Sequence, residues 1–230
     1  MAHEQFFYSP EIDGNIITIE ATEHQHLSRV MRKNVDDLIW ISNGKGISYE
    51  AKIISIDKNS TQAKIIQKHP GFGEPKNKVS LAVGLIKASH WEIMLEKAVE
   101  LGVYDIYPLL TQYTVVKQLK RERSEKIILS ALKQSGRSRL PILHDPLPFD
   151  KFIRKKTQAT TYICDNQDNY PQLTADVDMS DYLVLVGPEG GFHPDEVALA
   201  IQHSAHPVLL TNRRLRTETA CLAALSLLVR

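Results

Sequence analysis

The chain has too little cysteine to be held together by disulfides. Its 230 residues include only Cys164 and Cys221, which are far apart in apolar segments, so we expect buried free thiols. Metal ligands are sparse as well, because the closest histidine pair, His24 and His26, has no cysteine or acidic cluster beside it. The composition therefore predicts no metal site and a cytoplasmic protein.

Long apolar runs are also missing. No stretch approaches the roughly 20 apolar residues that span a bilayer, and residues 1–7 carry no basic segment followed by an apolar core. We therefore expect neither a membrane protein nor a secreted one. Because the formal net charge is only +1, a nucleic-acid surface would have to come from local clusters of arginine and lysine.

The first part of the chain, residues 1–70, is typical of a small β-barrel. The turn Asn43-Gly44-Lys45-Gly46 predicts a hairpin, and one helix is predicted at 22–32. Residues 71–78 continue a stretch rich in glycine and proline and are interpreted as a linker. Short strands are predicted at 16–19, 37–42, 47–57 and 61–67.

From Val79 onward, apolar strands alternate with helical segments, which predicts an α/β domain over residues 79–230. Ser89 and Glu92 have the spacing of a capping box for the first helix, and Gly102 is expected to close it. Strands are predicted at 79–86, 104–110, 160–164, 182–186 and 207–210, and further helices at 122–135, 195–203 and 219–229.

The strand at 182–186 is followed by the most informative motif, Gly187-Pro188-Glu189-Gly190-Gly191-Phe192. Glycines can take positive φ angles and let main-chain groups approach a ligand, while proline stiffens the loop between them. Such a loop can recognise the edge of a purine through main-chain atoms. The alternative is a plain turn whose glycines only solve a geometric problem. His193-Pro194-Asp195-Glu196 then predicts the start of a helix.

A second motif, Leu215-Arg216-Thr217-Glu218-Thr219-Ala220, joins the strand at 207–210 to a run of helix-forming residues. Thr217 or Thr219 is expected to cap this helix, with Arg216 beside its N-terminus and Glu218 in or near its first turn. In open α/β sheets, ligands bind outside the carboxyl ends of the strands. We therefore expect the two motif loops to face one crevice.

These two motifs, in this order, resemble the signature of the bacterial RsmE family, the 16S ribosomal RNA uridine N3-methyltransferases of the SPOUT superfamily. The similarity covers essentially the whole chain. Other segments that carry it are 26–32, 96–103, 134–137 and 139–141.

The resemblance implies an α/β fold in which a SPOUT-type domain with a C-terminal trefoil knot follows a small N-terminal PUA-like β-barrel. It implies S-adenosylmethionine as the cofactor, 16S ribosomal RNA or the small ribosomal subunit as the substrate, and a homodimer. The cofactor site that it implies consists of Val186, Gly187, Pro188, Glu189, Gly190, Gly191, Leu210, Leu215, Arg216, Thr217 and Thr219.

Methylation at N3 of uracil constrains the roles of these residues. The imide N3 is mostly protonated at neutral pH and must lose its proton before it can attack a methyl carbon. Arg216 is the candidate that stabilises negative charge developing on O2 or O4. Glu218 and Glu189 are candidate proton acceptors, although each has an equally plausible structural role at a helix N-terminus or in the glycine loop.

Contacts with RNA phosphate are expected from basic residues, all but Lys87 inside the segments that resemble the family. The target base has to be splayed out or already unpaired to reach the methyl donor. Another cluster, residues 117–123, has the alternative interpretation of a solvated approach to a helix. The expected RNA contacts are Arg29, Arg32, Lys87, Arg137 and Arg139.

Some positions depart from the family pattern. Gln5 stands where an arginine is usual, Gln112-Tyr113 replace a Glu-Arg pair, Lys133 replaces a glutamate and Thr211 replaces a glycine. They motivate two alternatives: a non-catalytic RNA-binding ribosome assembly factor that retains the fold, or a methyltransferase for another RNA. The intact motifs argue against the first alternative. A nucleotide hydrolase is excluded, because no Gly-Lys-Ser/Thr follows the glycine motif.

Overall fold

A computed structural model describes residues 6–155, 157–166, 170–174 and 180–230. The described residues up to Glu74, together with Leu129–Leu140, form one compact unit, and Pro75–Ile128 with Pro141–Arg230 form a second. The first unit therefore takes in a later stretch of the chain as well as its beginning. The sequence-based boundaries, 1–70, 71–78 and 79–230, stay a prediction.

The first unit is built on a mainly antiparallel sheet. In the described residues it has six strands in the order β1-β4-β5-β6-β3-β2. Among the strand pairs that the structure describes in this sheet, β1 and β4 run parallel and the others antiparallel. The strands are β1 Phe6–Tyr8, β2 Ile12–Asp13, β3 Ile16–Glu20, β4 Leu38–Ser42, β5 Ile47–Ile56 and β6 Ser60–Pro70.

The predicted hairpin joins β4 to β5. Asn43 holds the turn through its side-chain Oδ1, which accepts hydrogen bonds from the main-chain N–H of Lys45 at 2.8 Å and of Ile47 at 3.1 Å. Gly44 and Gly46 adopt φ angles of 70° and 95°, which glycine tolerates best. The sequence prediction is confirmed at this turn.

The sheet of the first unit curls so that its two ends approach each other. Ser9, between the edge strands β1 and β2, donates its main-chain N–H to Ser42 O of β4 at 3.1 Å and its hydroxyl to Thr18 O of β3 at 2.8 Å. Apolar side chains inside the curl, among them Phe7 and Ile41, are fully buried. The PUA-like β-barrel predicted for this part of the chain is confirmed in outline.

The helix predicted at 22–32 is shorter and composite. Helix α1 spans Ala21–Gln25, and the chain continues as a π-helical turn over His26–Val30. His24 Nδ1 lies 2.9 Å from Thr61 Oγ1 of β6, so this histidine is engaged in packing α1 on the sheet. The described residues contain no group of three or more potential metal ligands.

The second unit contains a parallel sheet. Over the described residues the strand order is β10-β8-β7-β12-β11-β13, with β9 also paired to β8. The strands are β7 Val79–Gly84, β8 Asp105–Leu110, β9 Ile142–Leu143, β10 Leu147–Pro148, β11 Thr160–Cys164, β12 Tyr182–Val186 and β13 His206–Val208. The helices are α2 Ala88–Glu100, α3 Arg121–Ser135, α4 Phe149–Ile153, α5 Pro194–Gln202 and α6 Thr217–Leu228. The second half of α3, from Leu129, belongs to the first unit.

Strands β11, β12 and β13 end at paired residues, and the neighbouring β7 ends one residue further on. Val186, the last residue of β12, pairs with Val83 of β7 and with Cys164 of β11, and Cys164 pairs with Val208 of β13. All residues of β12 are buried, as expected for a central strand covered on both faces. The loops that follow these strands therefore emerge at one edge of the sheet.

The helix ends confirm some sequence signals and correct others. Gly102 follows α2 with a φ of 95° and donates its N–H to Val99 O, as predicted for a C′ glycine. The predicted capping box at Ser89 is wrong: the N-cap is Lys87 in an extended conformation, without a side-chain cap, and Ser89 lies inside the helix. The start of α5 is confirmed, with His193 as N-cap in a capping box with Glu196 and Pro194 at the first helical position.

The predicted trefoil knot involves the C-terminal helix. Helix α6 packs on α2 and on strands β7 and β12. The segment between β11 and β12, which the knot would need as part of its loop, includes 167–169 and 175–179, and these lie outside the described residues. The knot therefore stays a prediction. None of the helices in the described part of the chain has the length and apolarity needed to cross a membrane.

Candidate active site

A cavity of about 790 Å³ lies at the edge where β11, β12 and β13 end. Loops after all three strands, with the start of α6, line it. This is the crevice predicted from the two motifs, and its size suits a ligand as large as a nucleotide cofactor. The lining residues are Cys164–Asn166, 186–192, 209–217 and Ala220.

The glycine loop after β12 is compact because it has no room for side chains. A Cβ on Gly187 would lie 2.7 Å from the carbonyl carbon of Gly191, and one on Gly84 of β7 would lie 2.5 Å from Pro188 Cδ. Gly191 has a φ of 77°, and its N–H donates to Pro188 O at 2.9 Å. Positive φ is therefore used at Gly191 in this loop, whereas Gly187 is required for close packing.

The loop that follows β8 packs on the outer side of the glycine loop. A Cβ on Gly190 would lie 3.0 Å from Tyr113 Cβ. The main-chain N–H groups of Gln112 and His193 donate to the two carboxylate oxygens of Glu196, each at 2.9 Å. This carboxylate ties the segment with the departures Gln112 and Tyr113 to the start of α5.

The second motif starts α6. Arg216 is its N-cap residue, and Thr217, the first helical residue, donates its hydroxyl to Gly187 O at 3.0 Å. Capping by Thr217 or Thr219 is therefore wrong, since no side chain caps this helix and the Thr217 hydroxyl serves the glycine loop instead. Glu218 lies in the first turn, as predicted.

All but one of the predicted cofactor-binding residues line the cavity. The exception is Thr219, which is exposed and does not belong to the lining among the described residues. Sequence reasoning missed Asp165, which borders the cavity after β11, and Gly84, which makes room for Pro188. A glycine that ends a buried strand is a signal of close backbone approach.

Arginines surround the mouth of the cavity. Arg213, Arg214 and Arg216 are exposed. Arg214 Nη2 donates to Glu189 O at 3.3 Å and so links the two motif loops. The Arg216 guanidinium makes no hydrogen bond or ion pair within the described residues, which leaves its five donors available to a ligand.

Glu218 has a partner that sequence reasoning did not find. Its Oε1 lies 2.8 Å from His90 Nδ1 in the first turn of α2. The Glu218 side chain is 14% exposed and that of His90 is 31% exposed. Because these residues are far apart in sequence, no local pattern could have paired them.

Both cysteines are free, as predicted. Burial raises the pKa of the Cys164 thiol to about 12. Burial is also the largest of the causes that raise the pKa of the Cys221 thiol well above its usual range. Cys164 borders the cavity, so its thiol is present there in the protonated form. A protonated thiol is a poor nucleophile.

The predicted RNA contacts fall in both units. In the first unit, Arg29 lies in the π-helical turn and Arg32 follows that turn with a φ of 51°, both exposed. Arg139, in the same unit, is half-buried, and its main-chain N–H donates to Glu74 Oε1 at 2.8 Å. In the second unit, Lys87 is the exposed N-cap residue of α2.

Arg137 does not fit the expected phosphate contact. Its side chain is 2% exposed, and its Nη2 donates to Glu74 Oε2 at 2.7 Å. Glu74 Oε1 also accepts the main-chain N–H of Ser138 at 2.9 Å. A guanidinium buried in this way cannot reach a phosphate without breaking the pair, so Arg137 is corrected from an RNA contact to a residue that holds the first unit together.

The other departures and the basic cluster at 117–123 also have structural explanations. Lys133 pairs with Glu23 of α1, so this substitution is matched within its own unit. Arg121 contacts Glu125 and Asp145, and Arg123 contacts Glu92. These pairs favour the interpretation of that cluster as a solvated helix approach. Thr211 borders the cavity, and Gln5 lies outside the described residues.

Comparison with protein families gives two matches along this chain. A profile described as an RNA methyltransferase domain matches residues 73–229. A second profile, described as an RNA methyltransferase PUA domain, matches residues 19–66. The first match contains every residue that lines the cavity.

Individual relatives match over nearly the whole chain. A ribosomal RNA small subunit methyltransferase E from Synechocystis sp. is 31% identical over 98% of this chain and 77% of its own length. One from Bacillus subtilis is 30% identical over 91% of this chain and 88% of its own length. The crystal structure of the Neisseria gonorrhoeae protein of the same name, bound to S-adenosyl methionine, has a TM-score of 0.87 at 29% identity and covers 97% of this chain and 95% of that one.

Proposed function

Because the chain belongs to the RNA methyltransferase family, we propose that it transfers the methyl group of S-adenosylmethionine to N3 of a specific uridine in 16S ribosomal RNA. The observation that carries the proposal is the hydrogen bond that connects the two motifs at the cavity. Thr217 of the second motif donates its hydroxyl to Gly187 O of the first. The names of the relatives and the family resemblance support the small ribosomal subunit as substrate.

The cavity suits S-adenosylmethionine in size and in chemistry. Val186, Leu210 and Leu215 offer apolar surface to an adenine ring, and the glycine loop offers main-chain donors and acceptors to its edge. The N-terminus of α6 favours a carboxylate nearby, while Asp165 suits a positively charged group. When bound, this cofactor supplies an electrophilic methyl group.

Arg216 and Glu218 are the side chains that act on the uracil. As N3 loses its proton, negative charge spreads to O2 and O4. The exposed Arg216 guanidinium hydrogen-bonds one of these oxygens and stabilises that charge. Glu218, two positions later in the first turn of α6, takes part in removing the proton. Alignment of N3 with the methyl group lowers the barrier further.

RNA binding needs surfaces beyond the cavity. Arg29 and Arg32 in the first unit and Lys87 in the second are exposed cations suited to phosphate, and Arg139 remains a candidate. These contacts fix the position of the RNA, and an unpaired or flipped uridine enters the site.

The enzyme works as a homodimer, as the resemblance implies. Helices α2 and α6 pack on each other, and each keeps an apolar side chain exposed, Ile93 at 51% and Leu227 at 38%. A second copy of the chain would cover such residues.

A methyl-transfer assay tests the proposed function. Purified protein is incubated with labelled S-adenosylmethionine and small ribosomal subunits from cells that lack the modification, and the RNA nucleosides are identified by mass spectrometry. N3-methyluridine is the expected product. If cofactor binds but no product forms, the proposed substrate is wrong and another RNA is indicated. If neither binding nor product is seen, the chain is a non-catalytic assembly factor.

A further inference from the structure

The contact between His90 and Glu218 joins the first turns of two helices. His90 Nδ1 lies 2.8 Å from Glu218 Oε1, with His90 in the first turn of α2 and Glu218 in that of α6. Glu218 directly follows Thr217, whose hydroxyl bonds Gly187 O. The pair is therefore linked to the glycine loop through Thr217, the residue before Glu218.

The hydrogen bond defines which ring nitrogen of His90 is basic. An ionised carboxylate has no proton to donate, so Nδ1 must be the donor to Glu218. In a neutral imidazole the other nitrogen, Nε2, then carries the lone pair. The His90 side chain is 31% exposed, twice as much as that of Glu218. The more exposed member of the pair is thus the one that carries the basic atom.

We propose that His90 accepts the N3 proton of the target uracil through Nε2 and that Glu218 is a positioning residue that holds the imidazole ring. This inference rests on the proposed methyl transfer. The N3–H bond breaks and its proton moves to Nε2. The electron pair left on N3 forms the new bond to the methyl carbon, whose former bonding pair stays on the donor sulfur. The imidazolium then releases the proton to water.

Chemistry favours the histidine over the carboxylate as acceptor. A general base is most effective when it titrates near the working pH, which is the ordinary range of an imidazole and lies well above that of a carboxyl group. The carboxylate-to-imidazole arrangement also matches a general pattern in which the acid orients the ring and stabilises its charged form. In this scheme Glu218 contributes to proton removal by holding the His90 ring in place.

Other charged groups lie on the two helices of the pair and on α3. Lys87 lies one turn before His90 on α2, and Arg216 lies two residues before Glu218 on α6. On the α3 side, Arg123 hydrogen-bonds Glu92 and lowers the pKa of that carboxyl group, with Lys120 adding to the effect. Glu92 therefore stays ionised over the pH range of the test.

Single-turnover methylation against pH tests the proposal. We expect His90→Asn to lower the rate about a hundredfold or more near neutral pH, with a smaller deficit at alkaline pH, where N3 ionises without help. In His90→Ala, added imidazole is expected to restore part of the rate. His203→Asn, which changes an exposed histidine at the end of α5, is the matched control and should behave like the unaltered protein.

A readout independent of catalysis is the ¹⁵N NMR spectrum of the histidine rings in the protein without cofactor. We expect His90 to carry its neutral-form proton on Nδ1, and Glu218→Gln to weaken this tautomer preference while leaving the His203 signals in place. The reverse tautomer would overturn the assignment. The assignment would also be overturned if His90→Asn reduced the rate equally at all pH values and imidazole did not rescue His90→Ala. The pair would then have only a structural role, in holding α2 and α6 together. If the unaltered protein makes no N3-methyluridine, the proposed function fails first.

Discussion

Arg216 is the residue on which the proposed reaction depends most directly. It is exposed, it borders the cavity, and as the N-cap of α6 its main chain is held by the helix while its guanidinium stays available. A charged donor that acts only as negative charge develops affects turnover more than binding.

We therefore expect Arg216→Ala to reduce the methylation rate by about a hundredfold or more, the size typical of losing one such donor, while cofactor affinity changes little. Single-turnover rates and calorimetric titration with S-adenosylmethionine measure the two effects. Arg213→Ala, another exposed arginine at the cavity, should keep most of the rate. Unchanged turnover in Arg216→Ala would remove Arg216 from the mechanism.

Individual side chains also mark how far sequence reasoning reaches. The motifs identified Gly187 and Arg216 because glycine and arginine have specific local uses at a loop and a helix start. They did not reveal that Arg137 is buried against Glu74 or that Glu218 meets His90. Both contacts join residues distant in sequence, and an arginine has the same appearance in sequence whether it faces solvent or a buried carboxylate.

At the scale of elements, the contact between α6 and the loop after β12 holds the cavity in shape. The buried Thr217 hydroxyl is the donor in this contact and Gly187 O is the acceptor. Valine has nearly the same shape as threonine but no hydroxyl, so its introduction leaves a buried carbonyl without its partner.

Thr217→Val is expected to lower the free energy of unfolding by about 1–3 kcal/mol, the usual cost of an unsatisfied buried polar group, and to weaken S-adenosylmethionine binding. Thr217→Ser keeps the hydroxyl and is the control, with a smaller effect on both quantities. Urea denaturation and cofactor titration provide the measurements. A loss confined to Thr217→Ser would mean that the methyl group, and not the hydrogen bond, stabilises this contact.

The elements themselves were more predictable than their ends. The strand at 182–186 agrees with β12 because a continuous apolar run between polar segments has one simple interpretation. The π-helical turn His26–Val30 and the start of α2 at Ala88 were not predicted, since a capping pattern such as that at Ser89 is only one way to begin a helix. Strand order depends on contacts between distant segments, so no local pattern in the sequence indicated it.

For the whole molecule, the two buried thiols predict a pH dependence of stability. Their pKa values are raised in the folded protein, to about 12 for Cys164, whereas an unfolded thiol titrates near 8.5. Above that pH the unfolded chain binds fewer protons than the folded one, so the contribution is fully present below about pH 8.5 and is lost as the pH rises towards 12.

We expect the free energy of unfolding from urea titrations to fall between pH 8.5 and 10.5, and to fall less steeply in Cys221→Ala. Cys221 suits this test because it is buried in α6 and does not border the cavity. Comparison of the slopes against pH separates thiol ionisation from the overall cost of the substitution. Identical slopes would show that the buried thiols do not govern alkaline stability.

The first unit is built from two separate stretches of the chain, and this affects when it can fold during synthesis on the ribosome. That unit includes Leu129–Leu140, and within it the Glu74 carboxylate receives the Arg137 guanidinium and the N–H groups of Ser138 and Arg139. A nascent chain that has emerged only as far as residue 74 holds this acidic group with none of its partners. Although N-terminal units commonly fold first during synthesis, this one cannot be completed until much of the second unit has also been translated.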